Sequence, residues 1–182
     1  MNDKVIVVNL FGAPGAGKST GAAYIFSQLK MAGINAELVT EYAKDKVWEE
    51  DKAVFDNQAY IFGKQSLRLS RCKDKVSVII TDSPLPLSIL YNKDPILGED
   101  FNRTVMNVFN SYNNMSYLLY RVKPYNPAGR FQTEEESDEV AEELRQLLDS
   151  RNISYIDMSG DMDGYDKIVS SVLNVVNEIK ND

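Results

Sequence analysis

The sequence predicts an α/β fold: a five-stranded parallel sheet flanked by helices on both faces. Three observations carry this. Short apolar runs alternate with stretches of helical spacing along the whole chain. The clearest runs, Val5–Phe11 and Val76–Thr81, are apolar almost throughout, as strands buried on both faces are. Stretches long enough for a crossover helix separate successive runs, as parallel pairing requires.

The elements follow in order. Val5–Phe11 is the first strand and Lys18–Ala32 the helix after it, stopped by Gly33. Ala36–Thr40 is the second strand, and Asn57–Arg71 has helical spacing. Val76–Thr81 is a third strand, bounded by charge before and Pro84 after. Glu99–Asn113 reads as a helix and Ser116–Val122 as a fourth strand. Lys123–Thr133, with its prolines and glycine, is a loop. Thr133 and Glu136 form a capping-box pattern that opens a helix with Val140, Leu144, Leu147 and Leu148 on one face. Ser154–Met158 is the last strand, and Tyr165–Lys180 a closing helix striped by Ile168, Val172, Val175, Val176 and Ile179. The 182 residues suit one domain over 1–182, without linker, repeat or low-complexity tract.

Composition narrows the chemistry. A chain with one cysteine and no histidine has no internal disulfide, no protein-built zinc site and no histidine base or nucleophile relay. Any proton acceptor is therefore a carboxylate, Lys, Tyr or Cys72. The net charge of −7 weighs against sequence-independent binding to nucleic acid. No apolar run approaches the ~20 residues of a membrane helix. Asp3 just ahead of the first strand is unlike a secretory leader. A cytoplasmic protein is expected.

Gly12-Ala13-Pro14-Gly15-Ala16-Gly17-Lys18-Ser19 matches G-x-x-x-x-G-K-[ST] in full and is followed by Thr20. It stands where its mechanism needs it, after a strand and before a helix. Glycines let the backbone turn its N–H groups inward around phosphate oxygens, and the helix N-terminus adds to the field. Lys18 supplies a charge for the β- and γ-phosphates, and Ser19 a hydroxyl for Mg²⁺. The loop makes this a P-loop NTPase fold and ATP with magnesium the expected cofactors. Asp82 closes the Val78–Thr81 run, where P-loop proteins place a carboxylate beside the metal and the attacking oxygen. It is the first candidate for general base, and alternatively holds Mg²⁺ through water or merely caps the turn before Pro84.

The loop, Val39-Thr40-Glu41-Tyr42-Ala43-Lys44, Gln58 to Gln65, and Ile80-Thr81-Asp82 together resemble the small P-loop nucleoside and nucleotide kinases typified by the ribosylnicotinamide kinase domain. These lie within the wider AAA-type ATPase group, and several phage-encoded proteins look similar. The resemblance spans nearly the whole chain. It implies a nucleoside-monophosphate-kinase-like fold with a lid, and transfer of the ATP γ-phosphate to a nucleoside or nucleotide. It places Glu41 at the acceptor site, facing a sugar hydroxyl, or else at a helix start as a dipole partner. Tyr42 packs on a base or ribose, or within the protein. Gln58 and Gln65 share a helix face around Phe62, suited to a nucleobase edge or simply solvated. Lys64, Arg68 and Arg71 form a basic stripe. The lid reading falls on Arg121–Gln132, with Arg121 and Arg130 the candidates to neutralise the transferring phosphoryl group and Lys123 a weaker one. Ser159-Gly160-Asp161 is placed near the adenine.

Two other functions fit the same motifs. One is a kinase acting on a hydroxymethylated pyrimidine in DNA, with the basic stripe, Lys73 and Lys75 along the backbone. The other is a regulatory ATPase whose 121–131 loop a partner protein reads.

Overall fold

The computed structural model describes residues 5–44, 54, 56–125 and 133–181. Five strands form one parallel sheet in the order β2-β3-β1-β4-β5: β1 Ile6–Phe11, β2 Ala36–Val39, β3 Val78–Thr81, β4 Asn113–Tyr120 and β5 Ile156–Ser159. The long helices are α1 Lys18–Met31, α2 Gln58–Ser70, α4 Gly98–Phe109, α5 Glu134–Ser150 and α6 Met162–Asn181, with a four-residue α3 at Leu87–Leu90.

The central strand β1 is buried at every residue, which is why it reads as an unbroken apolar run. Successive side chains go to opposite faces and feed two cores. Val7 and Phe11 join Ile79, Leu118, Leu69, Val105, Leu144 and Leu148 under α2 to α5. Ile6, Val8 and Leu10 join Ile80, Leu119, Ile25, Leu29, Ile168 and Val172 under α1 and α6. Each fully buried Leu or Ile contributes about 1.5–3 kcal/mol.

Helix ends follow local chemistry. Gly33, at φ 79°, ends α1 in a Schellman turn: Ile34 N–H donates to Leu29 O and Gly33 N–H to Lys30 O, each at 3.0 Å. The capping box is present in full, with Thr133 Oγ1 accepting from Glu136 N–H and Thr133 N–H donating to Glu136 at 2.7 Å.

Several boundaries differ from expectation. The α4 helix stops at Phe109, because Asn114 Nδ2 donates to Phe109 O at 2.7 Å and the chain turns into β4 three residues before the expected strand start. That asparagine also accepts from Asn9 Nδ2 at 2.9 Å, so a polar pair is satisfied inside the sheet. The β4 strand ends at Tyr120, leaving Val122 exposed, and β5 runs later than expected. Val140, Leu147 and Val175 are half-buried, while Ile179 is exposed near the outer end of α6. Among the described residues no helix is long and apolar enough to cross a membrane.

Candidate functional site

The phosphate loop leaves the C-terminal end of β1 and enters α1. Its geometry depends on glycine: Gly12, Gly15 and Gly17 have φ of 153°, 86° and 94°. The loop is also packed from outside. A Cβ on Gly12 would come 2.9 Å from Leu119 O, and one on Gly17 would strike the Tyr165 hydroxyl, which itself donates to Gly17 O at 2.9 Å. Ser137 Oγ of α5 donates to Pro14 O at 2.7 Å. Ala13 and Ala16 of the loop are buried, while Ser19 and Thr20 are exposed. Lys18 Nζ donates to Gly12 O at 2.7 Å and Ala13 O at 3.1 Å, lying across the loop.

Asp82 follows β3, the neighbour of β1. It is 4% exposed, and burial pushes its carboxyl above the ordinary carboxylate value; Lys18, the Glu41 N–H and Lys44 pull the other way. Glu41 N–H donates to Asp82 Oδ1 at 2.9 Å, so the backbone after β2 is tied to the carboxylate after β3. The loop, Lys18, Asp82 and Glu41 thus meet at the carboxyl edge of the sheet, where ligands of open α/β sheets bind.

The remaining predicted residues are placed as follows. Gln58 and Gln65, readable as solvated, are buried at 6% and 3% exposure. Gln65 Oε1 accepts from Tyr42 N–H at 3.0 Å and Nε2 donates to Thr40 O at 3.3 Å, so its amide holds the backbone after β2. Tyr42 and Tyr60 bring their hydroxyls to 3.1 Å. The basic stripe is not simply a solvated row. Arg68 donates to Thr40 O at 3.1 Å and lies over the Tyr42 ring, and Lys64 lies over Tyr60. Arg71 is exposed. Phe62 sets its ring edge-on to Phe101, 5.7 Å between centroids, at the margin of one core. Arg121 pairs with Asp138 and Glu134 of α5 and lies over the Tyr125 ring at 5.4 Å. Arg130 and residues 126–132 of the expected lid lie outside the described residues. Asp161 caps α6, accepting from Ser159 Oγ and Gly164 N–H, which hold its carboxyl below the usual range. Gly160 packs on Ala16, so this segment adjoins the phosphate loop.

One residue was not anticipated. Tyr91, just after α3, stands within electrostatic reach of Glu41 and of Glu143 on α5. Burial first, then those two carboxylates, push its phenol up to about 12. The four-residue α3 that delivers it is too short for periodicity to reveal.

A phosphate loop on a parallel sheet of this order defines a P-loop nucleotide-binding fold. A family model described as AAA domain matches residues 7–164, and the chain belongs to that family. No curated protein matches the sequence. Solved structures share the fold. A deoxyadenosine kinase from M. mycoides, with products dCMP and a flexible dCDP bound, is 17% identical, covers 94% of this chain and 99% of its own, and has a TM-score of 0.54. The same enzyme with bound dATP is 21% identical, at 92% and 99% coverage and TM-score 0.54. The YorR protein from Bacillus subtilis, in complex with phosphorylated GDP, is 17% identical, at 97% and 98% coverage and TM-score 0.58.

Proposed function

We propose that the chain is an ATP-dependent kinase that transfers the γ-phosphoryl group to a nucleoside- or nucleotide-like acceptor, in the cytoplasm. One juxtaposition supports this most. The phosphate loop and Asp82 leave the ends of adjacent strands, and Asp82 is buried within electrostatic reach of Lys18. The structural likeness to proteins described as nucleoside kinase, or as binding phosphorylated GDP, supports the acceptor class.

In this reading the loop amides from Gly12 to Thr20 cradle the triphosphate, and Lys18 exchanges its carbonyl partners for β- and γ-phosphate oxygens. The acceptor hydroxyl oxygen attacks the γ-phosphorus. The bond to the β–γ bridging oxygen breaks, ADP leaves with the electron pair, and the hydroxyl proton passes to Asp82. Asp82 Oδ1 accepts from Glu41 N–H, which holds the carboxylate in place to take the proton or a metal-bound water. The donors fit magnesium. Ser19 offers an exposed hydroxyl and Asp82 a carboxylate, and among the described residues no cluster of three acidic or cysteine ligands builds a closed cage. Magnesium held there would neutralise charge on the phosphate oxygens. Arg121 and Arg130 serve the same charge, while Glu41, Tyr42, Gln58, Phe62 and Gln65 frame the acceptor. Gln65 does so by holding Tyr42 in place.

The test is incubation with ATP, Mg²⁺ and a panel of nucleosides and nucleotides, read as phosphorylated product. The expected result is one preferred acceptor, with transfer abolished in Lys18→Ala while its circular dichroism and melting midpoint stay near those of the parent chain. Absence of product from every member overturns the reading.

A further inference from the structure

The first turns of α5 grip two parts of the site with consecutive residues. Ser137, 1% exposed, donates to Pro14 O in the phosphate loop at 2.7 Å. Asp138, the next residue, takes Arg121 Nη2 at 2.7 Å, and Glu134 takes the same nitrogen at 3.1 Å. Arg121 lies against the loop: a Cβ on Gly15 would come 3.9 Å from its Cδ and 3.1 Å from the Tyr125 ring beside it. The other terminal nitrogen, Nη1, is buried and has no hydrogen-bond partner among the described residues. The charge is paired through Nη2, but a buried donor without an acceptor is costly, and such groups in native proteins call for a missing partner such as a ligand or ion.

We propose that Ser137 and Asp138 are positioning residues that fix Arg121 relative to the phosphate loop, so that Nη1 donates to a phosphate of the nucleotide bound there. This rests on the nucleotide-binding reading above. The guanidinium is a rigid planar fork, so anchoring Nη2 sets the direction of Nη1. The helix is a suitable ruler. It runs for 17 residues behind a complete capping box, and neighbouring residues on it differ by a fixed rise of about 1.5 Å. Its carboxylates are 66% and 55% exposed, so water and salt screen their repulsion of a phosphate more than they loosen their hold on Arg121 at contact.

The experiment titrates ATP with Mg²⁺ calorimetrically into the parent chain, Arg121→Gln, Asp138→Asn, Asp138→Glu and the Arg121→Gln/Asp138→Asn pair. Melting midpoints without nucleotide serve as the check on folding. Arg121→Gln is expected to weaken ATP about tenfold or more, the effect of losing one hydrogen bond to a charged group. Asp138→Asn is expected to weaken it severalfold, Asp138→Glu to restore most of the loss, and the double variant to be no weaker than Arg121→Gln alone. Midpoints of the two Asp138 variants should stay near that of the parent chain, because that carboxylate is 66% exposed and a solvated partner adds little to stability. Tighter ATP binding in Asp138→Asn would identify the carboxylates as competitors for the guanidinium and overturn the proposal. Unchanged affinity, or strict additivity in the double variant, overturns it as well. A Lys18→Ala titration separates the two readings. If ATP binds neither the parent nor Lys18→Ala, the nucleotide reading fails and takes this proposal with it. If only Lys18→Ala loses ATP, the nucleotide reading stands whatever Asp138 shows.

Discussion

Asp82 sits where a charge is expensive. Burial disfavours its ionised form, and Lys18, the Glu41 N–H and Lys44 offset that only in part, so the carboxyl stays above its ordinary value. An acid in that position costs the folded state stability at neutral pH, yet the proposed transfer needs it ionised. Asparagine keeps an oxygen for the Glu41 N–H and removes the charge. Asp82→Asn is therefore expected to raise the melting midpoint by a few degrees, since about 1 kcal/mol corresponds to roughly 2–4 °C at this size. The same change should cut phosphoryl transfer about a hundredfold or more while ATP affinity moves only a fewfold. Melting curves, calorimetry and a product assay read the three quantities, and full turnover in the variant would remove Asp82 from the proton transfer.

At the level of elements, local chemistry decides ends and ties. Gly33 and Asn152 both adopt positive φ, 79° and 53°, and both close Schellman turns, at the ends of α1 and α5. Nothing lies within 4 Å of a Cβ built on Gly33, so Gly33→Ala meets backbone strain alone. It should cost about 1–2 kcal/mol in denaturant unfolding. The Arg151 side chain at the end of α5 pairs with Glu99 at the start of α4, Nη2 to Oε2 at 2.9 Å. Hydrogen bonds from Arg151, then Asn102, hold the Glu99 carboxyl down at about 2. The folded value is depressed, so the pair's contribution is whole above the ordinary carboxylate range near 4.5 and drains away as pH falls towards about 2. The melting midpoint of the parent chain should therefore fall further between pH 7 and pH 3 than that of Arg151→Gln. Parallel curves would show that the pair contributes nothing.

Much at this scale was legible in the sequence. The phosphate loop, the Gly33 stop and the Thr133–Glu136 cap are short-range chemistry, written in adjacent residues. The β1 strand shows as an unbroken apolar run and the stripe on α6 as helical periodicity. What escaped depends on distant partners. Gln58 and Gln65 look polar and solvated, yet both are buried, and Gln65 spends its amide on Tyr42 N–H and Thr40 O after β2. Asn114 resembles loop sequence until Phe109 O and Asn9 claim its amide. Tyr91 gains its setting only when α3 brings it towards Glu41 and Glu143.

Taken as a whole, the molecule builds its candidate site by pressing the ends of β4 and β5 against the phosphate loop. Gly160 N–H donates to Tyr120 O at 3.0 Å, and a Cβ on Gly160 would be forced to 2.0 Å from Ala16 O. Neither backbone can yield without reshaping the loop. Gly160→Ala is thus expected to lower both the melting midpoint and ATP affinity. Gly63→Ala, in open space on α2, should leave ATP affinity unchanged and add about 0.5–1 kcal/mol of stability. Equal behaviour of the two variants would show that the loop is indifferent to its packing.

The sheet's two outermost strands are only four residues each, and both carry a water-facing carboxylate, Glu37 on β2 and Asp157 on β5. Arg145 clasps the latter at 2.7 Å. An incoming strand from a second molecule would find a short row of open amides and would have to dehydrate an acid to use them. Short strands bearing an acid are one way a sheet blunts edge-to-edge pairing, and here they flank a long apolar β1 run enclosed at the centre.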